Sequence, residues 1–211
     1  MSTTDLSSYI LAHTTPPDDY LKRLYRATNL HLLRPRMASG HLQGQLLRML
    51  IQLFQPQTVV EIGTYSGYSA LAMASGMKEG SKVITFEIND EQECFTRPWL
   101  ENAPYKAKIE MIVGNVFELL PPMQLQIDAA FIDANKREYT EYYDLLMPYT
   151  HSGTLILADN TLWDGHVVDP AYDHDAQTLA IRQFNDYVAA DPRVEQLILP
   201  ERDGLSVIRV K

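Results

Sequence analysis

After Pro56 the sequence alternates short apolar runs with amphipathic stretches, five times in succession. The apolar runs read TVVEIG, SKVITFEI, KIEMIVG, IDAAFID and GTLILAD, and each is followed by a stretch with helical spacing. This alternation predicts a mostly parallel sheet covered by helices on both faces. Because such crossovers are right-handed, we expect a doubly wound, Rossmann-like α/β sheet.

The two ends of the chain complete the predicted fold. Before the first apolar run, helical spacing indicates extra N-terminal helices, of which the clearest runs from Leu42 to Phe54. Near the other end, VEQLILP and GLSVIRV flank a short turn, which predicts a C-terminal antiparallel hairpin. A chain of 211 residues is one good-sized domain. We therefore expect a single domain, 1–211, with an N-terminal helical segment, 1–55, and a Rossmann-like core, 56–211.

Charge and cysteine content limit the class of protein. The formal net charge is -9, whereas a nucleic-acid binder needs a basic face for phosphates. Cys94 is the only cysteine, so no internal disulfide can form, which is typical of a reducing setting. The start MSTTDLSSYI lacks the pattern of a signal peptide, and no apolar run is long enough to span a membrane. We expect a cytoplasmic protein that binds neither nucleic acid nor membrane.

The first apolar run leads into a glycine turn at the sheet edge where ligands bind in such folds. In EIGTYSGYS, Gly63 and Gly67 allow a tight turn and close approach of a ligand to the backbone. Glu87 ends the second strand, where an acid can hold ribose hydroxyls. The spacing is not G-x-G-x-x-G, and Glu61 would repel a pyrophosphate. The turn therefore favours a cationic nucleoside such as S-adenosylmethionine over NAD; the alternative is a purely structural corner.

Acidic and amide side chains end the fourth and fifth predicted strands. Asp133 follows one strand, and Asp159 and Asn160 end the next. Neighbouring strands lie about 4.8 Å apart, so these side chains can converge. Two carboxylates that close repel each other unless a proton or a cation lies between them. Their oxygens suit a magnesium-type ion, although Asp and Asn also begin loops and cap helices.

Two further residues are candidates for chemistry beside this pair. Lys136 lies three residues past Asp133, at a predicted helix start where a cation opposes the helix dipole. A nearby metal ion would favour the neutral amine that can take up a proton, whereas the default interpretation is a surface lysine. Trp163 can either contact an aromatic substrate or pack against other apolar side chains of the protein. His166 shows no metal-ligand spacing.

These motifs resemble those of a known family. EIGTYSGYSALAMA, FIDANKREY and ADNTLWDGHVVDP are similar to segments of the cation-dependent O-methyltransferases, which include catechol and caffeoyl-CoA O-methyltransferases. GHLQGQLLRML and PERDGLSV also resemble the family, so the similarity runs from about Met37 to the C-terminus.

The resemblance implies an activity and a site. The activity is methyl transfer from S-adenosylmethionine to one hydroxyl of a catechol, aided by Mg²⁺, Mn²⁺ or Ca²⁺. The metal ligands implied are Asp133, Asp159 and Asn160, and the implied general base is Lys136. The cofactor-contacting positions implied are Met37, Glu61, Gly63, Tyr65, Ser69, Glu87, Asn115 and Asp133. Lys136 and Trp163 are implied to face the substrate, and relatives suggest a homodimer through the N-terminal helices.

Two differences from the plant caffeoyl-CoA enzymes narrow the range of expected substrates, and three alternative functions stay open. Plant caffeoyl-CoA enzymes carry an acidic residue before Gly-Gln, where this chain has MASGHLQGQ, and their coenzyme A loop is not obvious here. Small free catechols are therefore favoured over coenzyme A thioesters. The alternatives are a nicotinamide-dependent reductase, a metal-independent methyltransferase and a non-catalytic protein that binds S-adenosylmethionine.

Overall fold

A computed structural model describes residues 5–105 and 107–211 of the chain. The first four residues of the N-terminal stretch discussed above lie outside the described residues, as does residue 106. The helices are α1 (Leu6–Ala12), α2 (Asp19–His31), α3 (His41–Phe54), α4 (Tyr68–Gly76), α5 (Glu93–Glu101), α6 (Val116–Leu119), α7 (Tyr139–Leu146) and α8 (Ala176–Ala190). The strands are β1 (Thr58–Ile62), β2 (Lys82–Glu87), β3 (Lys108–Val113), β4 (Ala129–Ile132), β5 (Leu155–Asp159), β6 (Val194–Leu199) and β7 (Leu205–Val210).

The strands form one sheet in the order β3-β2-β1-β4-β5-β7-β6. The first five strands are parallel, and β7 runs antiparallel to both β5 and β6. Each predicted apolar run is a strand, and the tail is a hairpin. The prediction of a doubly wound, mostly parallel sheet with a C-terminal antiparallel hairpin is confirmed.

Apolar side chains cover both faces of the sheet. Successive residues of a strand point to opposite faces, so Val59 packs with α2, α3 and α4 while Val60 packs with α7 and α8. Both valines are fully buried. Burial on both faces is why the strand sequences read as continuous apolar runs rather than as alternating ones.

The N-terminal helices lie on one face of this sheet. α2 and α3 bury leucines such as Leu24 and Leu47, whereas α1 buries none of its residues. In residues 5–105 and 107–211, no helix has both the length and the apolar character that crossing a bilayer requires.

One predicted helix begins later than its sequence suggested. The pattern predicted a helix from Lys136 to Met147, but Lys136–Glu138 forms a 3₁₀ turn and α7 starts at Tyr139. The Asn135 side chain accepts a hydrogen bond from the Arg137 backbone N–H, which caps this tighter turn. Lys136 therefore lies in this turn and not in α7.

Candidate active site

The turn after β1 rests directly on the end of β4. Gly63 has a φ of +101°, and a Cβ atom placed on it would lie 2.2 Å from the Asp133 carbonyl oxygen. The Gly63 N–H also donates to the Phe86 carbonyl of β2, at 2.9 Å. Glycine is therefore required both by the backbone angle and by the close approach. The packing brings the glycine turn and Asp133 into one place.

Replacing this glycine is expected to damage the fold itself. Gly63→Ala combines a strained φ, typically about 1–3 kcal/mol, with a backbone clash that neither chain can relieve by rotating a side chain. Gly153→Ala is the matched control, because Gly153 has a φ of +95° but no described atom lies within 4 Å of its added Cβ. Urea unfolding should show a clearly larger loss for Gly63→Ala. Equal losses would mean that the strand end shifts freely.

A narrow cleft opens over this turn. Five of the residues that the sequence proposed for the cofactor line it together, namely Met37, Gly63, Tyr65, Ser69 and Asp133. The same cleft is lined by residues that sequence reasoning missed, namely Ala38, Ser39, Thr64, Ser66 and Tyr68. Several small hydroxyl side chains thus surround the space next to the β1 end.

Glu61 lies beneath this cleft, fully buried in β1. One carboxyl oxygen accepts a hydrogen bond from the Thr85 hydroxyl, and the other, Oε1, has no partner in the described part of the chain. Burial raises the pKa of Glu61 to about 8, against the hydroxyls of Ser69 and Thr85, which lower it. A cation near Oε1 would favour the ionised form.

Glu87 organises the same turn from the end of β2. Its carboxylate accepts backbone N–H hydrogen bonds from Tyr65, at 2.7 Å, and from Asn89, at 2.9 Å. Glu87 is therefore connected to the cleft through Tyr65. Asn115 lies one strand further out, and its side chain caps α6 by accepting from the Phe117 N–H. Asn115 does not line the cleft.

The acidic pair lies side by side at the ends of β4 and β5. Ile132 pairs with Ala158, so Asp133 and Asp159 follow as neighbours, as predicted. Asp159 is 3% exposed, and its Oδ1 has no hydrogen-bond partner among residues 5–105 and 107–211. Burial and the charge of Asp133 raise the pKa of Asp159 to about 6. Asp133 is only partly buried, and a positive charge between the two adjoining carboxylates would stabilise both in their ionised forms.

Asn160 adopts a backbone angle that few residues tolerate. Its φ is +58°, a left-handed conformation that asparagine reaches more easily than most residues. Its Nδ2 donates to Asp203 Oδ2 at 3.4 Å, and the Asp203 carbonyl accepts from the Leu162 and Trp163 N–H groups. Asp203, which the sequence placed only in a hairpin turn, therefore holds the Asn160 segment against β7.

Lys136 is buried rather than on the surface. It is 8% exposed, and its Nζ donates to Asp133 Oδ1 at 2.8 Å and to the Tyr139 hydroxyl at 2.7 Å. The fully buried Tyr139 hydroxyl donates in turn to the Asp159 carbonyl oxygen at 3.0 Å. The default interpretation of a surface lysine is therefore wrong. Lys136 and Tyr139 connect the two acidic strand ends.

The segment after Asn160 is held by a residue of α8. Arg182 Nε donates to the Val167 carbonyl at 2.9 Å, and Nη2 donates to the His166 carbonyl at 3.0 Å. Trp163 is half-buried against the core, and the His166 ring stacks on Tyr172 with centroids 3.5 Å apart. His166 is thus occupied by a local stacking contact.

The oxygen atoms present suit a hard cation. In the described residues no three His, Cys, Asp or Glu side chains are grouped as a metal site. A site here would therefore combine the carboxylates of Asp133 and Asp159 with the Asn160 amide oxygen. All three are oxygen donors of the type that Mg²⁺, Mn²⁺ and Ca²⁺ take. The partnerless Asp159 Oδ1 supports the fit.

A family model described as O-methyltransferase matches residues 11–211.

The chain belongs to this O-methyltransferase family.

Relatives of this O-methyltransferase include a caffeoyl-CoA O-methyltransferase of Arabidopsis thaliana, 34% identical over 97% of this chain and 84% of that protein. Among solved structures, an O-methyltransferase from Bacillus cereus in complex with SAH is 28% identical, with a TM-score of 0.88 over 96% of each chain. The O-methyltransferase TomG from Streptomyces achromogenes, in complex with SAM, is 27% identical, with a TM-score of 0.85 over 96% of this chain and 94% of that one.

Family membership confirms the resemblance seen in the motifs and decides against one alternative. The match begins at residue 11, well before the segment near Met37 where the motifs became similar. The nicotinamide-dependent reductase is no longer a candidate for this O-methyltransferase. The cleft residues that the sequence missed lie within two residues after Met37 or between Gly63 and Ser69, so their position among predicted contacts was the available signal.

Proposed function

We propose that this O-methyltransferase moves a methyl group from S-adenosylmethionine to a hydroxyl of a small catechol-type acceptor, with a divalent cation at Asp133, Asp159 and Asn160. The observation that carries the proposal is the convergence of three features at one sheet edge. The glycine turn touches Asp133, Asp133 adjoins Asp159, and Lys136 bonds to Asp133.

The cleft over the β1 turn is the proposed cofactor site. Solved relatives hold SAH or SAM, which supports this choice. When bound, S-adenosylmethionine supplies a methyl group attached to a positively charged sulfur. Glu61 provides a buried carboxyl for the cationic part of the ligand, and Glu87 provides oxygens for the ribose hydroxyls. The remaining proposed contacts are Met37, Gly63, Tyr65, Ser69, Asp133 and Asn115.

The acidic strand ends are the proposed cation site. A bound Mg²⁺, Mn²⁺ or Ca²⁺ supplies Lewis acidity toward the two hydroxyls of a catechol. Asp133, Asp159 and Asn160 hold their oxygens on rigid strand ends, so the acceptor is fixed relative to the Gly63 turn. Asp133 Oδ1 already bonds Lys136 Nζ, so the lysine and the acceptor hydroxyl are brought to the same carboxylate.

Lys136 is the proposed general base. Its amine lies among Asp133, Tyr139 and the Asp159 strand end, where a neutral amine can take the proton of an acceptor hydroxyl. Trp163 is proposed to present its exposed part to the aromatic ring. Burial of these groups limits the water that competes for the methyl group.

The wider proposal concerns the acceptor and the setting of the enzyme. The name caffeoyl-CoA O-methyltransferase, which several relatives carry, specifies a coenzyme A thioester as acceptor. The differences from the plant enzymes described above favour a free catechol for this chain. A single domain, a homodimer through the N-terminal helices and a cytoplasmic location remain predictions.

Loss of Glu87 is expected to weaken cofactor binding. Glu87→Ala removes charge-assisted hydrogen bonds, and calorimetry with S-adenosylmethionine should show a loss of about 1–3 kcal/mol. Glu91→Ala is the control, because Glu91 is an exposed acid on the same loop. Equal affinity of Glu87→Ala and the wild type would remove Glu87 from the cofactor site.

A screen of catechols with labelled S-adenosylmethionine, with and without Mg²⁺, tests the function as a whole. We expect label transfer that depends on Mg²⁺. Thermal stabilisation by the cofactor without turnover of any catechol would point to the non-catalytic alternative. Transfer that is indifferent to Mg²⁺ would point to the metal-independent methyltransferase.

A further inference from the structure

One buried amide beside the proposed site has no role in the function above. Gln43 lies in the first turn of α3, and its side chain is completely buried. Its Nε2 atom has no hydrogen-bond partner among the residues that the structure describes. Buried amide donors are nearly always paired, because an unpaired one loses its hydration without compensation.

Asp159 offers an unused acceptor in the same part of the fold. Its Oδ1 atom is also buried and without a partner in the described chain. Asp159 pairs with Leu205 at the start of β7, three residues after Arg202, and the neighbouring Asn160 bonds to Asp203. Because Arg202 also bonds to Gln43, the hairpin turn brings the Gln43 side chain to the Asp159 strand end.

Arg202 determines which end of the amide faces the carboxylate. Its Nη1 donates to Gln43 Oε1 at 3.0 Å and to the Ala38 carbonyl at 3.3 Å, and its Nη2 donates to the Arg36 carbonyl at 3.3 Å. A guanidinium can only donate, so the atom that it contacts must be the amide oxygen. The amide nitrogen therefore points away from Arg202, and the usual ambiguity between the two amide atoms does not arise here.

We propose that Gln43 is a positioning residue for Asp159, with its Nε2 donating to one carboxylate oxygen so that the other is turned toward a bound cation. Arg202, in the turn between β6 and β7, fixes Gln43 in this orientation. The inference rests on the proposed function, because it needs Asp159 to be a ligand. Hydrogen-bond partners of metal ligands orient those ligands, and their loss typically weakens metal binding about 10–100-fold.

The test measures the binding of Mn²⁺ to the protein without cofactor or acceptor. The electron paramagnetic resonance signal of free Mn²⁺ reports how much of the ion remains unbound. Gln43→Met keeps the length of the side chain and removes the amide, so the Kd for Mn²⁺ should rise about 10–100-fold. Gln52→Met makes the same change at an exposed position of the same helix and should leave the Kd unchanged. A purely structural role of Gln43 would lower the urea midpoint without changing the Kd of the folded protein.

Arg202→Met gives an independent route to the same conclusion. Arg202 is largely exposed, so its replacement is tolerated more readily than a change in the core, and the Kd for Mn²⁺ should rise several-fold because Gln43 loses its restraint. If Gln43→Met folds and its Kd for Mn²⁺ is unchanged, the inference is overturned. If Gln43→Met does not fold, an unchanged Kd for Mn²⁺ in Arg202→Met overturns the inference instead. Wild-type protein that fails to bind Mn²⁺, or Asp159→Asn that binds it equally well, overturns the metal site and this inference together. If the wild type binds Mn²⁺ and only Asp159→Asn loses it, while Gln43→Met and Arg202→Met bind as the wild type does, this inference fails and the proposed function stands.

Discussion

Exhaustive chelation of divalent cations is expected to reduce methyl transfer to a catechol to background, and added Mg²⁺ or Mn²⁺ is expected to restore it. The physical reason is the acidic pair. The ion pair between Lys136 and Asp133 offsets part of the charge of the adjoining Asp133 and Asp159, and Asp159 is buried with its pKa raised to about 6, so a divalent cation would supply the positive charge that the pair still lacks. Without that charge the acceptor hydroxyls are neither held nor acidified.

Asp159→Asn should reproduce the effect of chelation in part. The amide keeps the size of the side chain but removes one negative charge from the site, so more Mg²⁺ should be needed for half-maximal rate. Asp186→Asn removes a carboxylate from an exposed position on α8 and serves as the control. Full activity in the presence of a strong chelator would sink the assignment of Asp133, Asp159 and Asn160 as ligands.

Lys136→Ala is expected to lower kcat by about 10²–10⁴-fold, the usual range for loss of a general base. Cofactor affinity should change little, because Lys136 bonds to Asp133 and Tyr139 rather than lining the cleft. Lys136→Arg should not restore the rate, since arginine stays protonated. Arg137→Ala removes the neighbouring exposed cation and controls for a general loss of positive charge.

The choice of acceptor separates a base from a purely structural lysine. A nitro-substituted catechol has a more acidic hydroxyl that is ionised in solution near neutral pH. If Lys136 takes the proton, the defect of Lys136→Ala should shrink with this acceptor relative to unsubstituted catechol. A defect of the same size with both acceptors would mean that Lys136 holds Asp133 and Tyr139 in place but does not accept the proton.

The part of the site that lies on strand ends was predictable from sequence. Parallel strands place their carboxyl ends at one edge, so Glu87, Asp133 and Asp159 could be assigned to one side of the sheet from the rhythm of apolar runs. The sheet order then makes β4 and β5 neighbours, and the observed register places Asp133 beside Asp159.

Contacts between distant segments could not be predicted in this way. Gln43 and Arg202 are 159 residues apart, and their hydrogen bond depends on how α3 and the hairpin turn pack around the sheet. The 3₁₀ turn at Lys136 was also missed, because the helical pattern does not distinguish a 3₁₀ turn from the first turn of an α-helix. Only the folded chain shows the Tyr139 hydroxyl between Lys136 and the Asp159 carbonyl.

The contact between Gly63 and the Asp133 carbonyl also bears on how readily such an enzyme can acquire new acceptors. The proposed sites for the methyl donor and the methyl acceptor meet where Gly63 closely approaches the Asp133 carbonyl, so their separation is set by main chain and not by an adaptable side chain. The segment 163–168, by contrast, is attached to α8 through backbone carbonyls that Arg182 holds whatever side chains the segment carries. Substituting the side chains of residues 163–168 should therefore change which aromatic acceptors are used, while the methyl donor and the acceptor hydroxyl keep their alignment. Laboratory evolution of acceptor range would be best confined to that segment.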